Sequence, residues 1–153
     1  MDLDLALGTA RDLLASWAKE RAQPEPGRLD VAVAVEDLLS AVQAITEADW
    51  GYLSAITGLD HGESAGQIEV LYHFCTGAAV LSLRVLVPRT AASLPSVCGL
   101  IPSAVLFERE LSEMLGMTVV GIPDPSRLFL PEDWPEGVPP LRKEFVPEEP
   151  QPT

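Results

Sequence analysis

Basic charge is scarce in this sequence: ten Lys and Arg stand against 23 Asp and Glu, a formal net charge of −13. Most of such a surface repels a nucleic acid or an anionic membrane, so those two partner classes are the first to be excluded. Cysteine and histidine are scarce too. Cys75 and Cys98 lack the paired spacing of a metal knuckle or a redox dithiol, and each reads as a small buried apolar residue. His61 and His73 form no ligand pattern, so the sequence offers no metal site. A basic leader is missing, because the chain opens MDLDLALG and is acidic from its second residue; this reads as a cytoplasmic protein without a secretory signal. One uncharged stretch, residues 90–107, is long enough to be considered as a membrane span, but Pro95, Gly99 and Pro102 would break it.

What is present is one domain's worth of polypeptide, 153 residues with an ordinary apolar content. Its charges are unevenly placed. Residues 61–107 hold only Glu63, Glu69, Arg84 and Arg89, whereas the two ends are strongly acidic, which puts the core in the middle and the ends against water or partners. Leu3, Ala6, Leu7, Ala10, Leu13, Leu14 and Trp17 recur at helical spacing and predict a helix running to about residue 21, ended by AQPEPG. RLDVAVAV then reads as a strand, residues 35–49 as a helix with Val35, Leu38, Leu39, Val42 and Ile45 on one face, and residues 51–58 as a second strand. If those strands share a sheet, a right-handed crossover joins them. Period-two alternation in QIEVLYHFC and AVLSLRVLVP, separated by TG, predicts a hairpin. The sum is an α+β fold: a mixed, mainly antiparallel sheet with helices over one face.

Residues 104–115 read as a further helix, capped by Ser103 and stopped by Gly116, with Ala104, Phe107, Leu111, Met114 and Leu115 as its apolar stripe. Glu108 and Glu110 border that stripe on opposite sides and Arg109 points away, so the two carboxylates are poorly placed to flank one scissile bond. No glycine-rich phosphate loop, serine elbow or activated cysteine accompanies them, and no catalytic residue is assigned. Beyond residue 120 the sequence changes character. Nine of its fourteen prolines fall in residues 121–153, which predicts an extended, proline-rich C-terminal arm following a globular domain of residues 1–120. In polyproline geometry such an arm reaches about 100 Å. Leu128, Phe129, Leu130, Trp134, Leu141 and Phe145 are spread along it, and they must lie on this domain or on another protein's surface. With Arg142 and Lys143 beside them, the pattern reads as a partner-docking device.

The ordered motifs ERELSEMLGM, GIPDPSRLFLPEDWPEG and PLRKEF resemble the signature run of the thirty-kilodalton subunit of respiratory complex I, the NADH:quinone oxidoreductase of bacteria. YLSAITGLD, IEVLYHF and LRVLVP resemble strands of the same family, so the likeness covers about residues 50–146. It implies a noncatalytic subunit that binds no cofactor itself, on the cytoplasmic side of the membrane and peripheral to it, without direct insertion. Its implied partners are the large quinone-site subunit, a relative of hydrogenase large subunits, and neighbouring iron–sulfur subunits; iron–sulfur clusters, with flavin or nickel–iron, would reside in those partners. The motif match places Glu108, Arg109 and Glu110 on the docking helix, Pro123, Asp124 and Arg127 in the turn after it, and Pro140, Leu141, Arg142 and Lys143 on the arm. The sequence departs from the family pattern at Glu113, Leu115 and Ile122, where an Asp, an aromatic residue and a His are usual, and it lacks the aromatic residues common before the helix. The middle motif is also similar to the equivalent subunit of energy-converting membrane-bound hydrogenases and formate hydrogenlyases. A free-standing protein-binding domain is the remaining alternative.

Overall fold

The computed structural model describes residues 2–148. Helix α1 (Leu3–Leu13) opens on Asp2, whose carboxylate accepts a hydrogen bond from the Asp4 N–H at 3.0 Å, and it buries Ala6, Leu7 and Ala10. The helix is shorter than the apolar spacing predicts. The backbone turns at Leu14–Trp17 and enters an edge strand, β1 (Glu20–Ala22), paired antiparallel to β2 (Arg28–Ala32). Pairing along the β2 edge satisfies the backbone of this segment as well as another helical turn would, while Leu14 is still buried and Trp17 still packs on the core.

A short 3-10 turn over Val35–Asp37 leads into α2 (Leu38–Glu47), which buries Leu38, Ala41, Val42 and Ile45. Trp50, just beyond it, donates its indole N–H to the Ala6 carbonyl at 2.9 Å and so ties α2 to α1. Three long strands follow: β3 (Tyr52–Asp60), β4 (Gln67–Thr76) and β5 (Ala79–Pro88), the last two joined by the expected tight hairpin at Gly77–Ala78. The sheet order is β1-β2-β5-β4-β3, with β2 and β5 parallel and the other pairs antiparallel. Thus β2 and β3 do share a sheet, but β5 and β4 lie between them. Ile68, Val70, Tyr72 and Phe74 of β4 and Leu81, Leu83, Val85 and Val87 of β5 are all buried in the core with α1 and α2. The opposite face is mixed: His61 and Arg84 bracket Glu69, His73 sits between Ser82 and Thr57, and the register partners of Glu69, Leu59 and Leu86, are exposed.

The uncharged stretch contains β6 (Ser93–Pro95), and α3 (Val105–Leu115) then leads to β7 (Thr118–Val120), which pairs parallel to β6 in a second, two-stranded sheet. The sequence carries no local sign of that small sheet, because strands of three residues are too short to show a period. Among the described residues no helix is long and apolar enough to cross a membrane. The Ser103 cap is not formed either; a 3-10 turn over Pro102–Ala104 precedes α3, whose cap position is Ala104 with no side-chain hydrogen bond. Gly116 does end α3 in the left-handed conformation, φ 63°. The helix lies close on β3: a Cβ at Gly58 would stand 2.1 Å from Leu115 Cδ1 and 2.6 Å from Leu111 Cδ1.

Candidate functional site

Glu108 is not on the rim of α3. It is fully buried, one oxygen accepting the Val97 N–H at 2.6 Å and the other the Ser96 hydroxyl at 2.6 Å and the Cys98 thiol at 3.0 Å. Its spacing explains this: Ala104, Glu108, Leu111 and Leu115 fall on one helical face, and all four are buried. The carboxylate therefore holds the loop after β6 against the helix, and burial together with this neighbour pushes the Cys98 thiol pKa upward. Glu110 alone of the charged triplet is exposed, beside a shallow depression shared with Gly58, Leu111, Met114 and Leu141.

Arg109 and Glu113 face the C-terminal segment. Arg109 donates to the Ser126 carbonyl at 2.9 Å and the Arg127 carbonyl at 2.7 Å, and lies 3.4 Å from the Asp124 carboxylate. Asp124 in turn accepts the Ser126 hydroxyl at 2.5 Å and the Ser126 N–H at 3.0 Å, and these two bonds, helped by Arg109, hold its carboxyl below the usual range. Glu113 accepts three successive backbone N–H groups, those of Leu128, Phe129 and Leu130, at 2.8–3.1 Å. Burial raises its pKa, but these amides and Arg127 outweigh that and keep it lowered. Arg127 itself braces the next bend, donating to the carbonyls of Pro131 at 2.5 Å and Trp134 at 2.8 Å.

A second anchorage lies further along. Arg142 donates to the Leu115 carbonyl at 2.6 Å and the Arg89 carbonyl at 3.1 Å, and the Leu141 N–H bonds the Met114 carbonyl at 2.9 Å. Asp60, its side chain fully buried, takes Arg89 at 2.7 and 2.8 Å and the Lys143 N–H at 2.8 Å, while Arg89 also pairs with Glu144. The arm from Gly121 to Glu148 is thus irregular, as its prolines require, but it does not extend away. It folds back over α3 and the β3–β5 end of the sheet, because the backbone groups that a proline-rich segment leaves unpaired are satisfied by α3 and by side chains of the sheet.

Folding back shelters only part of its apolar surface. Trp134 and Phe145 cover each other, ring centroids 5.8 Å apart, with the Trp134 indole N–H on the Val138 carbonyl. Leu128 and Leu130 are half-buried. Phe129 at 60%, Leu141 at 57% and Val146 at 80% remain exposed; the last was not among the anchors read from the sequence. Pro123 is exposed, and Ile122 packs on the core. Among the described residues no three His, Cys, Asp or Glu side chains gather as metal ligands would.

Among the described residues, a five-stranded mixed sheet, three α-helices and a folded-back C-terminal arm define an α+β fold. Residues 31–151 match the family described as "Respiratory-chain NADH dehydrogenase, 30 Kd subunit", and the protein belongs to that family. It is 34% identical over 131 residues to Hydrogenase-4 component G of Escherichia coli, covering 84% of this sequence and 23% of that protein. It is also 34% identical over 123 residues to a subunit of the NADH-quinone oxidoreductase of a Roseiflexus species, covering 77% of this sequence and 70% of the other. The fold recurs in a polypeptide of the membrane-bound sulfane sulfur reductase, an archaeal respiratory membrane complex, with TM-score 0.78 and 21% identity over 93% of this protein and 86% of that one. The sequence therefore spans less than a quarter of the Escherichia coli relative.

Proposed function

We propose that this protein is a noncatalytic, cofactor-free subunit of the peripheral arm of an NADH:quinone oxidoreductase-type complex, on the cytoplasmic side of the membrane, and that it docks on the large quinone-site subunit. The observation that carries this reading is the way the arm is fixed. Two hydrogen-bonded anchorages, at Glu113 and at Asp60–Arg89, hold a proline-rich segment in one shape while Phe129, Leu141 and Val146 stay exposed. A preformed apolar surface of this kind binds with little ordering cost, which is what an assembly interface needs. In Hydrogenase-4 component G the similar segment is a minor part of a longer polypeptide, which fits a module that works joined to other protein.

The experiment is affinity purification of the tagged protein from cells, comparing the parent with Phe129→Asp/Leu141→Asp. The parent is expected to bring down a large subunit and iron–sulfur subunits; the variant is expected to lose them while its circular dichroism and unfolding midpoint stay unchanged. Equal assembly of parent and variant, or a parent that purifies as a partnerless monomer, refutes the proposal. The similarity to Hydrogenase-4 component G favours a second reading, the equivalent subunit of a membrane-bound hydrogenase. Nickel in the purified complex selects that reading, and NADH:quinone activity without nickel selects the first.

A further inference from the structure

An open groove of about 670 Å³ lies between the Trp134–Phe145 pair and Val138, Pro139 and Val146. Its lining is mostly apolar, yet its surroundings are acidic: Glu144 and Glu148 border it, and Glu132, Asp133 and Glu136 are exposed on the same stretch of backbone. Against these five carboxylates the segment from Pro131 to Glu148 carries two basic residues, Arg142 and Lys143, and the Arg142 guanidinium is committed to the carbonyls of Leu115 and Arg89. Glu144 has Arg89 as its partner, whereas Glu132, Asp133, Glu136 and Glu148 have no ion pair among the described residues.

We propose that this groove receives a basic, aliphatic segment of the partner polypeptide, a deepening that rests on the docking function above. A large apolar side chain enters between Val138, Phe145 and Val146, and a neighbouring Lys or Arg meets Glu148, its approach favoured by the further negative charge of Glu132, Asp133 and Glu136 on the same stretch of backbone. An aromatic floor suits that occupant, since a cation held over Trp134 gains from the ring's negative face. A second copy of this protein is disfavoured by the same charges, because two acidic rims would face each other. Complementary charge of this kind sets register and association rate more than total affinity.

The test places a benzophenone amino acid at position 146 and, separately, at position 129, in the full-length protein assembled in its complex, followed by irradiation and mass spectrometry. A position-146 crosslink to a partner segment with net positive charge and at least one large aliphatic residue supports the proposal. A crosslink there to a neutral or acidic segment, to a second copy or to lipid overturns it. No crosslink from position 146 with a protein crosslink from position 129 also overturns it and leaves the docking function standing; no protein crosslink from either site overturns both. Charge reversal by Glu136→Lys with Glu148→Lys is expected to weaken retention in the complex about tenfold at low salt and less at high salt. Retention unchanged at low salt is a further refuting result.

Discussion

Glu113→Ala isolates the contact that shapes the arm. Its carboxylate accepts the N–H groups of Leu128 and Leu130 at 3.1 Å through one oxygen and that of Phe129 at 2.8 Å through the other. Water replaces these partners when the arm opens, so each bond contributes about 0.5–1 kcal/mol net, and the three together about 1.5–3 kcal/mol. Since about 1.4 kcal/mol is a factor of ten in an equilibrium, the variant raises the locally open population about ten- to a hundredfold. Amide hydrogen exchange at Leu128, Phe129 and Leu130 reads that number directly, with the β4 and β5 amides as an internal control that stays unchanged. The acid dependence has a definite sign. The Glu113 pKa is lower folded than unfolded, so its contribution is complete above the ordinary carboxylate range and is lost as pH falls. Exchange in the parent protein therefore approaches that of the variant at low pH. Exchange at the three amides within about twofold of the parent at neutral pH would refute the account, since a lost charge-assisted cluster cannot be that cheap.

Glu108→Ala strips the buried Val97 N–H, Ser96 hydroxyl and Cys98 thiol of their acceptor and leaves a cavity, an expected loss of about 3–5 kcal/mol in urea denaturation. A loss under about 1 kcal/mol would contradict the buried role. Asp60→Asn breaks a buried ion pair and weakens the Lys143 anchorage, with an expected cost of about 3–5 kcal/mol, again read by urea denaturation. Because the Arg89 hydrogen bonds hold the Asp60 carboxyl far below its usual range, the parent keeps this contribution well into acid, and the two proteins converge only at the lowest pH of an acid titration. Gly58→Val drives side-chain atoms into Leu111 and Leu115 and is expected to cost about 1–3 kcal/mol, measured as a lowered thermal midpoint.

The β4–β5 hairpin was legible because alternation over ten residues in each strand admits one register that buries every apolar side chain of one face. Helix α1 ends earlier than its apolar spacing predicts for a related reason: a turn can bury Leu14 and pack Trp17 as well as a helix does, and the competing β2 edge is not visible in the local pattern. Burial of Glu108 does have a signal in the sequence, its three- and four-residue spacing from Leu111 and Ala104. Charge marks the surface only where no buried donors await it.

By itself, the sequence determined the class of fold, the two faces of β4 and β5, the end of α3 at Gly116 and the irregular backbone of the arm, because each depends on neighbours a few residues away. Tertiary structure alone decided where the arm lies and which charges are internal. Asp60 meets Lys143, Arg89 meets Glu144 and Glu113 meets Leu128–Leu130 only after the sheet and α3 have been packed together. Such pairs join groups far apart in sequence, and no local periodicity encodes a contact whose partner is brought near by the fold itself.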